Sequence, residues 1–109
     1  MHWEVTLFHA VRDFDREELH QAEKSMEYVF EEVSGHLEKA GFNSNQITTR
    51  MITGVPGRAG AIVVEALKEG YGTIVVGRRG LSHVEEFFMG RVSNKVIQMA
   101  REIAVWLIT

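Results

Sequence analysis

Three glycines at uneven intervals, Gly77, Gly80 and Gly90, run through the stretch "GRRGLSHVEEFFMGRVSNKV", with Arg78, Arg79 and Arg91 among them and Ser93 just beyond. A glycine lets the backbone turn with positive φ and lets a ligand approach the main chain closely. A helix N-terminus offers free N–H groups and the positive end of a dipole, which together favour an anion. Ser93 adds a hydroxyl donor and the arginines add cations. The chemistry these residue types suit is a phosphate cradle built mostly of backbone. The spacing alone also allows a plainer reading, in which the glycines merely end one element and begin the next. A G-x2-G is a weak signal, and neither G-x-G-x-x-G nor a P-loop with its Gly-Lys-Ser/Thr is present.

The flanking elements decide whether such a cradle could be positioned. "TIVVG" leads directly into the first glycine and reads as a buried strand over residues 73–76. Val92, Val96, Ile97, Ala100 and Ile103 form a helical stripe after the third glycine, so Gly90 is expected to open that helix. "AVWLIT" closes the chain as a strand. Upstream, "VTLFHAV" over residues 5–11 is an almost continuous apolar run, the pattern of a strand buried on both faces.

Asp15 with Glu18 resembles a capping box. After it, Leu19, Ala22, Met26, Val29, Phe30, Val33, Leu37 and Ala40 recur in helical steps up to Gly41, where a helix C-terminal glycine belongs. "QITTRMITG" is a short β-branched strand suited to a sheet edge, and "AIVVEALKEG" a compact helix ending at Gly70. Strands that alternate with helices predict a parallel sheet with right-handed crossovers and four strands from this chain. Ligands of such sheets sit at the carboxyl ends of the strands, where Gly77 and Gly80 fall.

Composition narrows the function classes. The 109 residues suit one domain, and the 45% apolar and 25% charged content suits an ordinary globular protein. Cysteine is absent, which removes disulfide frameworks and Cys-based zinc sites. No apolar run approaches the roughly 20 residues of a membrane span. "MHWEVTLFHA" lacks the basic start of a signal peptide, so a cytoplasmic, membrane-free protein is expected. Residues 1–40 carry ten acidic and four basic side chains, whereas residues 41–109 carry five and eight. That modest basic excess suits one small anion better than a nucleic acid.

In combination, G-x2-G-x9-G after "TIVVG" and before "VSNKV" resembles the nucleotide-binding signature of the universal stress protein family. "GVPGRAGAIVVEALKEGYGTIVVGRRG" is similar to that family's third helix and fourth strand, and "VTLFHAV" to its second strand. The resemblance implies an α/β, three-layer, open parallel sheet of the Rossmann-like, adenine nucleotide alpha hydrolase-like class. It further implies a stress-response module that binds ATP or another adenine nucleotide, with Mg2+ as the companion ion of the phosphates. By motif, Ala10 would lie beside the adenine and Val76 would line the pocket. Gly77, Arg78, Gly80, Gly90, Arg91, Val92 and Ser93 would surround ribose and phosphates.

Two departures from the family pattern bear on that expectation. Ser or Thr usually follows the third glycine, and here Arg91 does. A small hydroxyl donor is exchanged for a long cation, which either reaches the phosphates or obstructs close approach to the glycines. The chain also enters at the family's second strand, so the domain is expected to lack the first strand, its aspartate and its helix. That would leave apolar strand edges uncovered, a condition that favours association. A homodimer or larger homo-oligomer is therefore expected, joined through the exposed sheet or through the terminal strand. A module of this fold that has lost the nucleotide and works through dimerisation is the alternative.

Nothing in the sequence requires catalysis. His2, His9, His20, His36 and His83 are scattered without metal-ligand spacing. His9 reads as a hydrogen-bonded core residue and His83 as a solvated loop residue. Ser82 and Ser93 have no evident base, and Glu85 and Glu86 are placed to pair with Arg78 and Arg79. Phe87, Phe88 and Met89 are expected to precede the last helix and pack on it. No metal site is expected in the protein itself.

Overall fold

The computed structural model describes residues 3–12, 16–77 and 86–108, with the side chains of 16–18 and 86–91 outside that description. The chain divides into two compact units, Met1–Pro56 and Gly57–Thr109. The first holds strand β1 (Val5–Arg12), helix α1 (Arg16–Lys39), a short 3-10 turn (Ser44–Gln46) and strand β2 (Ile47–Val55). The second holds helix α2 (Arg58–Lys68), strand β3 (Thr73–Gly77), helix α3 (Glu86–Met99) and strand β4 (Ala104–Ile108). The order of strands and helices is the one the apolar periodicity predicts. Asp15 of the expected capping box lies outside the described residues, as does the side chain of Glu18.

The strands pair as two parallel two-stranded sheets, β1 with β2 and β3 with β4. The α/β class and the parallel pairing stand as expected, but each sheet is smaller than a continuous four-stranded one. Helix α1 carries the chain from β1 to β2, and α3 carries it from β3 to β4. Each crossover completes a ladder within its own unit. In the first, Val5 stands opposite Ile47 and Ala10 opposite Ile52, and the register shifts between Val11 and Arg12. Gly54, at φ 70, occupies the extra position on β2. The exposed Thr48, Thr49 and Arg50 on β2 suit the edge position expected of this strand.

In the second unit α2 and α3 cover one face of the β3–β4 ladder. Its core is Ala59, Val63 and Ala66 from α2, Ile74 from β3 and Val96 from α3. Those α2 positions recur at steps of four and three, so they share one helical face. Gly60 stands beside Met99, whose terminal carbon would lie 3.6 Å from a Cβ added there. On the ladder's other face Val75 pairs with Trp106, and both are well exposed, as is Ile108 two residues on. Alternation along a strand accounts for this split: Ile74, Val76 and Val105 face the helices and their neighbours face away.

Helices α1 and α2 end with the same device. Gly41 (φ 111) and Gly70 (φ 75) take the left-handed conformation just past the last helical turn. Gly41 N–H donates to Glu38 O and Phe42 N–H to Leu37 O at 3.0 Å; Gly70 N–H donates to Leu67 O and Tyr71 N–H to Ala66 O at 2.9 Å. These paired bonds satisfy carbonyls the helix leaves open, the Schellman arrangement. The 3-10 turn, unanticipated from the sequence, is tied by Gln46, whose Oε1 accepts from Asn43 N–H at 2.8 Å and whose Nε2 donates to Trp3 O at 2.9 Å.

Gly70→Ala is expected to cost about 1–2 kcal/mol, because a Cβ penalises the left-handed conformation while the site has open space around it. Gly72→Ala, equally uncrowded and without a positive φ, is expected to stay within about 0.5 kcal/mol of the parent. Urea denaturation followed by Trp106 fluorescence in a Trp3→Phe background reads both; equal losses would show that the left-handed conformation is not what governs Gly70.

Candidate functional site

The second unit holds the residues that follow β3 and lead into α3. Gly77 is the last residue of β3, stands opposite Ile108 and is half-buried. It therefore falls at the carboxyl end of a parallel strand, where a ligand could meet main chain with no Cβ intervening. Arg78 and Gly80 lie outside the described residues, together with Arg79, Ser82, His83 and Glu85.

Helix α3 begins at Glu86 rather than at Gly90. Gly90 is thus its fifth residue and Arg91 its sixth, with the Arg91 side chain outside the described part. The first four N–H groups of a helix have no intrahelical acceptor. Here those belong to Glu86, Phe87, Phe88 and Met89, not to Gly90. Phe87, Phe88 and Met89, expected ahead of the helix, form part of its first turns. The correction has a physical basis: an acidic residue suits the first helical turn, and one interior glycine costs only about 1 kcal/mol, which a helix tolerates.

The remaining site candidates of this unit double as packing residues. Val76 and Val92 are half-buried and pack against the cluster of Ala59, Val63, Ala66, Ile74 and Val96. Ser93 is 2% exposed and sits one residue from Val92 on the inward side of α3. It is among the residues that hold a polar interaction, and no buried side-chain nitrogen or oxygen among the described residues lacks a hydrogen-bond partner. Its hydroxyl is therefore a structural group first. Ala10 belongs to the first unit, where it is 4% exposed on β1 opposite Ile52. The structure brings Val76 and Val92 to one core, with Gly77 next in chain to the first and Ser93 to the second.

His9 is half-buried on β1 and engages a partner, but it is not among the buried residues of the core. His20 and His36 are exposed, and His2 and His83 fall outside the described residues. Among the described residues no three His, Cys, Asp or Glu side chains gather in a way that could hold a metal ion, and no helix is long and apolar enough to cross a membrane. Glu65 is the residue sequence reasoning passed over: 7% exposed, it is a buried acid on α2 that holds a polar interaction. Its position four after Ala61 and three after Ile62 sets it on the flank of the apolar stripe, a signal that periodicity alone carries.

The model of the universal stress protein family matches residues 2–106. No curated protein and no solved structure gives a significant match to the chain.

Burial of a satisfied hydroxyl gives Ser93 a measurable structural role. Ser93→Ala is expected to lower stability by about 1 kcal/mol with no nucleotide present. Thermal or urea denaturation of ligand-free protein checks this; unchanged stability would leave the hydroxyl available to a ligand alone.

Proposed function

The chain belongs to the universal stress protein family, and from that membership we propose that this stress-response module binds an adenine nucleotide through its G-x2-G-x9-G segment, without strong catalysis. The observation that carries the proposal is the place of Gly77. It ends a strand of a parallel ladder and is followed, within one unit, by the helix that returns the chain to β4. The glycine segment spans that connection. Open parallel sheets take ligands at this end of their strands, and helix N-termini there favour phosphate.

Within this reading the free amides of Glu86–Met89 and the backbone around Gly77 and Gly80 face the phosphates, and Arg78 and Arg91 supply cations. Val76 and Val92 contribute apolar surface and Ser93 braces α3. ATP, when bound, supplies the phosphate charge to which Mg2+ adds its own coordination. The protein's part is binding and orientation. Phosphoryl transfer needs a positioned nucleophile and charge neutralisation, and no residue is assigned to activate water. The proposed setting is the cytoplasm.

A second reading is favoured by a separate observation. Val75, Trp106 and Ile108 are 59%, 60% and 58% exposed on one face of the β3–β4 ladder, whereas parallel sheets are ordinarily covered on both faces. Members of this family are often oligomeric. The chain then associates with further copies of itself, as a homodimer or larger homo-oligomer, and in the limiting case association replaces nucleotide binding altogether.

Mass spectrometry of small molecules released from freshly purified protein is expected to identify an adenine nucleotide, and calorimetric titration of stripped protein with ATP to give saturable binding. Gly80→Val should weaken that binding at least about tenfold, roughly 1.4 kcal/mol, with its far-ultraviolet dichroism unchanged. A folded protein with neither copurified nucleotide nor heat of binding would leave only the association reading.

Phosphate release from ATP with Mg2+ is expected to match the protein-free blank. Metal-dependent turnover that disappears in Gly90→Val would instead make the protein an ATPase. Size exclusion with light scattering at low micromolar concentration is expected to give at least twice the mass of one chain. A folded monomer there would remove the association reading and leave the nucleotide reading intact.

A further inference from the structure

We draw no further inference here: the strongest candidate, the apolar outer face of the β3–β4 ladder formed by Val75, Trp106 and Ile108, carries none because nothing in the structure shows what covers it.

Discussion

Parallel strands cannot be joined by a tight turn, and the rest of this structure depends on that constraint. The chain must travel back along the sheet before the next strand can begin, and a helix is the compact way to do so. Here α1 performs the return between β1 and β2, and α3 performs it between β3 and β4. Each helix is therefore both a connection and a cover. In the second unit the cover is visible residue by residue: Val96 is fully buried and Val92 half-buried, and both belong to the packing around Ile74 of β3.

The same constraint places chemistry and packing on shared residues. A chain that leaves β3 at Gly77 must reach the start of α3, and Gly80 falls in that connection while Gly90 falls within the helix. Val76 precedes that connection in the chain and Val92 and Ser93 follow it, and all three are at least partly buried. Substitutions at these positions act on stability before they act on any ligand. Gly77 and Gly80 are freer of this double duty, because a residue without a side chain contributes little to a core. Arg91 has the opposite character: it brings a long cation to the sixth position of α3, beyond the four amides that the helix leaves unbonded.

Much of this was legible in the sequence, for physical reasons that differ by element. The apolar run of β1 marked a strand and the three-and-four spacing of α1 a helix, although in β1 only Ala10 and Val11 are buried and the stripe of α1 is half-buried. Gly41 and Gly70 mark helix ends because a left-handed residue is needed there. The start of α3 was not legible: glycine is weighted as a breaker, yet Gly90 lies inside the helix behind residues that sustain helical structure. The 3-10 turn was hidden because it depends on Gln46 bonding to Asn43 and to Trp3, 43 positions earlier in the chain. The burial of Glu65 was hidden because composition treats an acid as surface. The division of β3 and β4 into a packed and an exposed face was implicit in their alternation, but Thr73 is the one polar side chain in the two strands, too little to mark the outer side. The chemistry of the glycine segment was legible only as a pattern, since spacing names the residues without placing a ligand among them.

Charge and apolar exposure are divided between the two units in a way that matters for binding. Ten acidic and five basic residues fall in Met1–Pro56, against five acidic and seven basic in Gly57–Thr109. Eight of the ten large exposed hydrophobic residues among those described, from Val64 to Ile108, belong to the second unit. The acidic surface of α1, with Glu23, Glu27, Glu31, Glu32 and Glu38 all exposed, keeps the chain hydrated and repels other anions. The glycine segment stands in the unit of opposite net sign, which favours the approach of a phosphate-bearing molecule by long-range attraction. That unit is also the one whose apolar surface tends toward association. The two proposed roles, nucleotide binding and self-association, thus call on the same half of the chain, so a change there made to test one will act on the other unless it is confined to the glycine segment or to the outer face of the ladder.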